Sequence, residues 1–157
     1  MLEVGQIAPD FDLPGLDGRS RSLNQILSAG PALLAFYKVS CPVCQFTFPF
    51  LERLYREGGE SAPQLIGISQ DDADATAGFN KSFGVTFPTL LDLSARNYPA
   101  GNAYRITNVP SHFLIEKDRR ISQAATGFVK TALEDLGRAF GVAPFREGED
   151  VPLIRPG

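Results

Sequence analysis

Ala32-Leu33-Leu34-Ala35-Phe36-Tyr37-Lys38-Val39-Ser40-Cys41-Pro42-Val43-Cys44 is the stretch from which the fold is read. Its first six residues form an apolar run with no polar alternation, preceded by Gly30-Pro31. Such a short run predicts a central strand buried on both faces. After the second cysteine the spacing becomes helical. Val43, Phe46, Phe50 and Leu54 fall at i, i+3, i+7 and i+11, with Tyr55 extending the stripe. Pro49 lies inside this helix and should kink it, and Gly58-Gly59 ends it. Both cysteines of the chain therefore fall where a buried strand hands over to an amphipathic helix.

Working outward, Phe11 to Gly18 reads as a hairpin closed by Asp17-Gly18, and Ser22 with Gln25 makes a capping box for a short helix. Leu65 to Ser69 predicts a second buried strand. Asp71 or Asp72 caps a helix carrying Ala75, Phe79 and Phe83 and stopping at Gly84. Phe87 to Leu91 is a short extended piece. Between Ser94 and Thr107, Tyr98-Pro99-Ala100-Gly101 interrupts any helix, which predicts an irregular loop beside a short one. Phe113-Leu114-Ile115 and Ile121 to Ala125 flank the polar turn Lys117 to Arg120, a second hairpin. Thr131 with Glu134 reads as a capping box for a helix with Leu133, Leu136 and Phe140 inward and Gly141 at its end. This order of elements predicts an α/β chain: a central mixed β-sheet flanked by helices, with an N-terminal β-hairpin extension. There is one core, over residues 1–143, and an irregular C-terminal tail, residues 144–157, expected as surface coil.

The 157 residues suffice for one domain without a disulfide scaffold. The net charge of −3 and the absence of any basic run exclude a nucleic-acid binder. No stretch approaches the ~18 apolar residues of a membrane span. The start lacks a basic segment followed by an apolar one, so the expected location is cytoplasmic.

Both cysteines are spent in one C-x-x-C, a spacing that suits either redox chemistry or half of a zinc site. The other metal ligands are missing, since the chain has a single histidine, His112, and no third cysteine. No metal and no organic cofactor is expected. At a strand-to-helix junction the unpaired N–H groups of the first turn point at the Cys41 sulfur, and the helix dipole adds partial positive charge there. Both favour a thiolate at Cys41. Pro42 suits the first helical position, where its fixed φ is already right. Cys44 lies one turn deeper and more sheltered, so Cys41 attacks and Cys44 resolves.

With these residues in view, the sequence resembles the thioredoxin superfamily, and within it the redoxin branch. That branch includes TlpA-like thiol-disulfide oxidoreductases and the alkyl hydroperoxide reductase/thiol-specific antioxidant proteins. The matching stretches are Gln6 to Leu13, Leu34 to Tyr37 ahead of the C-x-x-C, Ile66 to Asp71, Phe87 to Asp92 and Val109 to Ile115. Pro49 matches the helix-kinking proline of thioredoxins. The resemblance implies a thioredoxin fold and a cis peptide bond at Val109–Pro110. It also implies that the Val109 backbone pairs with an extended substrate segment. The activity implied is thiol-disulfide exchange, with a protein thiol or disulfide as substrate and an upstream redox partner.

The departures from the family pattern are specific. Ser40 stands where thioredoxins usually carry Trp, and the chain has none. Ala35 and Thr47 occupy the two positions where relatives place a buried carboxylate. Peroxiredoxins carry Thr or Ser where this chain has Lys38, and a proline where it has Leu34, so a thiol-dependent peroxidase is the alternative reading. A non-catalytic, redox-switched binding module is a further one. Lys38 could favour the Cys41 thiolate by its charge, and His112 could act as a proton shuttle or simply pack. Asp71, Asp72 and Asp74 are explained by helix capping.

Overall fold

The computed structural model describes residues 1–157. The first hairpin pairs β1 (Asp12–Pro14) with β2 (Ser20–Ser22), and Ser22 caps α1 (Leu23–Ser28) through a complete capping box with Gln25. Then follow β3 (Ala32–Tyr37), α2 (Pro42–Glu57), β4 (Gln64–Ser69), α3 (Ala73–Phe83) and β5 (Thr89–Leu91). A 3₁₀ turn (Ser94–Arg96) leads to α4 (Pro99–Ala103), β6 (Ser111–Ile115) and β7 (Ile121–Thr126). The chain closes with β8 (Phe128–Val129), α5 (Lys130–Phe140) and β9 (Ile154–Arg155).

The central sheet has the order β5-β4-β3-β6-β7. The neighbours β3 and β4, and β4 and β5, run parallel, while β6 runs antiparallel to β3 and β7 antiparallel to β6. As its apolar run requires, β3 is the middle strand and is buried along its whole length. Its side chains alternate between two cores. Ala32, Leu34 and Phe36 pack with the hairpin, α1 and α4, whereas Leu33, Ala35 and Tyr37 pack with α2, α3 and α5. Packing helices on both faces is what makes a continuous apolar strand stable in water.

Four expectations need correction. The inward stripe of α2 is not Val43-Phe46-Phe50-Leu54 but Cys44, Thr47, Phe48, Leu51 and Leu54, and Tyr55 is exposed. Phe46 and Phe50 lie on a second apolar face, which Phe128 and Phe145 cover. Pro99 does not interrupt a helix but starts one. Tyr98 turns the chain at φ 46, Pro99 takes the first helical position, and buried Asp92 accepts from the Ala100 and Gly101 amides at 2.9 and 2.8 Å. The capping box at Thr131 does not form, because α5 opens at Lys130 straight out of β8. The Lys130 amide donates to the Leu153 carbonyl at 2.9 Å instead. Finally, the tail is docked. Its β9 pairs with β8, Arg53 makes a forked ion pair with Glu149 at 2.7 and 2.9 Å, and Phe145 packs edge-on to Phe50.

Candidate active site

Strand β3 ends at Tyr37, and the next three residues form the loop that carries Cys41 to the start of α2. Both backbone polar groups of Val39 in this loop are pinned. Asp71 Oδ2 accepts from the Val39 amide at 2.8 Å, and Gln45 Nε2 donates to its carbonyl at 3.0 Å. The Cys41 amide closes the turn onto the Lys38 carbonyl at 3.2 Å. Cys41 is the N-cap of α2, and Pro42 opens the helix.

The Cys41 sulfur therefore does the work of a capping side chain. It accepts from the Cys44 amide at 3.2 Å, and it lies 3.4 Å from the Val109 carbonyl, to which its thiol donates. At that position the sulfur meets the positive end of the helix. Cys41 is partly exposed, Cys44 is 0 % exposed, and both are free. Burial pushes the Cys44 thiol well up. The facing Cys41 sulfur adds to this, and a hydrogen bond to the Lys38 backbone opposes it. The two sulfurs thus differ in environment, one partly exposed at a helix start and the other sealed beneath it.

The Val109–Pro110 bond is cis, and Val109 stands directly against Cys41. Lys38 is exposed, with its ammonium 5.8 Å from the Tyr98 ring centroid. It lines a polar cleft of about 220 Å³ with Gln70, Asn102, Asn108 and Val109. His112 makes no hydrogen bond to either cysteine. It is buried in β6, paired in register with Ala35 and Ala125, and it borders a different cleft with Ser122, Gln123 and Asp135. Burial lowers its pKa to about 4, and its Nε2 has no hydrogen-bond partner. A larger cleft of about 460 Å³, between the N-terminal hairpin and Val85–Leu90, contains neither cysteine nor His112.

Asp71 was expected only as an alternative helix cap. Asp72 fills that role, accepting from the Ala75 amide at 2.8 Å, and Asp71 is left to anchor the cysteine loop. The signal was present as two adjacent acids ahead of one helix, only one of which can cap it. The close approach of Gly157 to the Val109 carbonyl had no sequence signal at all, because it depends on a fold-back across the whole domain.

Comparison with known proteins gives a consistent picture. The chain matches the AhpC/TSA family over residues 4–124. It is 30% identical over 138 residues to the thiol-disulfide oxidoreductase ResA of Geobacillus kaustophilus, covering 87% of this chain and 76% of that protein. In fold it is similar to the thioredoxin domain of a thiol-disulfide oxidoreductase from Bacteroides vulgatus. The TM-score there is 0.78 at 20% identity, covering 89% of this chain and 99% of that one. It is likewise similar to the peroxidoxin BcpB of Mycobacterium tuberculosis, with a TM-score of 0.73 at 24% identity over 88% and 98% of the two chains.

Proposed function

The chain belongs to the AhpC/TSA family and is a thiol-disulfide oxidoreductase, and we propose that it exchanges disulfides with protein substrates through Cys41 and Cys44. The Cys41 thiolate attacks one sulfur of a substrate disulfide. A Cys41–substrate bond forms, and the other substrate sulfur leaves as a thiolate. Cys44 passes its proton to that leaving sulfur and attacks Cys41. The Cys41–Cys44 disulfide forms, the second substrate sulfur is released, and two electrons have moved to the substrate. An upstream dithiol resets the pair. Run in reverse, the same steps oxidise a substrate dithiol. Val109, whose carbonyl faces the Cys41 sulfur, pairs with the extended substrate segment and presents its disulfide.

The observation that carries this reading is the asymmetry of the pair. One sulfur caps a helix at the surface, 3.4 Å from a backbone edge, and the other is sealed beneath it. The test is insulin reduction with dithiothreitol as donor. Wild-type protein turns over, Cys41→Ser is inactive, and pre-reduced Cys44→Ser, mixed with insulin after the dithiothreitol is removed, accumulates a mixed disulfide that is visible by mass. A stoichiometric redox change without turnover would replace the enzyme with a switched binding module.

A further inference from the structure

The Val109 edge that the proposed function uses is already covered in this structure. The Val109 amide makes no backbone hydrogen bond, and its carbonyl accepts only from the Cys41 thiol. Free backbone groups of this kind invite an incoming extended chain to pair. The tail has taken the place. Strand β9 is held to β8 through Arg155 opposite Phe128 and Ile154 opposite Val129. The Arg155 guanidinium carbon lies 4.7 Å from the centroid of the Phe46 ring, on the helix that Cys41 caps. Beyond β9, Asn108 Nδ2 donates to the Gly157 oxygen at 3.2 Å.

Gly157 lies on the Val109 carbonyl so closely that a Cβ at this position would sit 2.1 Å from that oxygen and 2.9 Å from its carbon. The floor beneath is also a glycine. Gly127 has φ +72, and a Cβ there would lie 2.7 Å from the Arg155 carbonyl oxygen and 3.1 Å from the Gly157 amide nitrogen. The Gly127 amide is itself bonded to the Pro110 carbonyl at 2.8 Å, so both glycines belong to one surface around the loop that faces Cys41. A substrate strand pairing with Val109 needs the space that Gly157 fills.

We propose, resting on the reading of Val109 as the docking edge, that residues 154–157 are a specificity-determining strap. Small disulfides reach Cys41 past it, whereas a protein disulfide reacts only when the strap is displaced. The apparent affinity for a protein substrate is then reduced by the fraction of time the edge is open. A strap in place for about nine-tenths of the time lowers it about tenfold.

The test compares the full chain with Gly157→Val, whose added side chain collides with the Val109 carbonyl, and with a deletion of residues 153–157. Gly157→Val is the primary variant, because the deletion also removes the Leu153 carbonyl that receives the Lys130 amide at the start of α5. The expected result is a rise of about tenfold in kcat/KM for insulin, with an unchanged rate on bis(2-hydroxyethyl) disulfide. An unchanged or lower kcat/KM for insulin overturns the strap. If neither protein reduces insulin, alkylation of Cys41 decides. A maleimide bearing a polyethylene glycol chain should react faster with Gly157→Val while N-ethylmaleimide does not change. That result upholds the strap and places the failure in the choice of protein disulfides as substrates. Equal rates with both reagents remove the strap as well.

Discussion

At the scale of single residues, three positions carry distinct expectations. Burial raises the Cys44 thiol, so it stays protonated through neutral pH. Iodoacetamide at pH 7 should modify Cys41 and leave Cys44 untouched, as read by peptide mass. Comparable labelling of both would remove the asymmetry on which the mechanism stands. His112 gives a pH prediction with a definite sign. Its folded pKa is lowered to about 4 from 6.5, so the unfolded chain binds the proton more readily. Stability from this group is fully present above pH 6.5 and is lost as pH falls from 6.5 to 4. The loss is about 3 kcal/mol at low pH. Denaturant titrations at pH 7 and pH 4.5 should show this drop, and His112→Phe should flatten it. Asp71 acts through the Val39 amide. Asp71→Ala leaves that amide without its acceptor at a cost of about 1–3 kcal/mol. It should also lower the ratio of Cys41 to Cys44 alkylation rates, with Asp71→Asn restoring both because its side-chain carbonyl still accepts. Of these three residues, Cys44 was legible from the C-x-x-C spacing. The role of His112 was not, because the direction of a strand residue depends on a register that only the paired strands supply.

At the scale of elements, legibility followed the range of the forces involved. The Ser22–Gln25 capping box, the Asp72 cap and the glycine stops at Gly84 and Gly141 are local, made by neighbours within four residues, and they formed as expected. Ser22→Ala should destabilise the fold by about 1 kcal/mol, a shift measurable in chemical denaturation. Where a distant segment supplied the same service, the local reading failed. The Lys130 amide found the Leu153 carbonyl and Thr131 was not needed as a cap, while the first amides of α4 found Asp92 across the 3₁₀ turn. Helix α2 is the informative middle case. Its length and start were readable, but its helical stripe was not, because it is apolar on two faces. One face meets the sheet through Phe48 and Leu51, and the other meets Phe128 and the tail through Phe46 and Phe50. A helix apolar on two faces shows no single stripe, and which face meets the sheet is settled only by the partners.

At the scale of the whole molecule, the sheet order follows from one strand. Because β3 is buried on both faces it must be central. The parallel β3–α2–β4 unit and the antiparallel β6–β7 hairpin then attach on opposite sides of it. The cysteine loop lies at the end of this strand, supported by Asp71 from the segment after β4 and facing Val109 from the segment before β6. The site is thus assembled from three separate connections and depends on the sheet being intact. The tail is different in kind. It adds no strand to the central sheet, and its anchors are Phe145 against Phe50 and Phe128 and the Arg53–Glu149 fork. Removing an anchor should therefore loosen the tail without dissolving the domain. Phe145 is half-buried, so Phe145→Ala should cost about 2 kcal/mol, roughly half the loss expected for a fully buried phenylalanine. Native-state hydrogen exchange should locate the change: faster exchange at Lys130, whose amide is held by the Leu153 carbonyl, and unchanged protection in β3 and β4. Equal acceleration in β3 would mean that the tail is part of the cooperative core, and that no substrate could lift it without unfolding the site it covers.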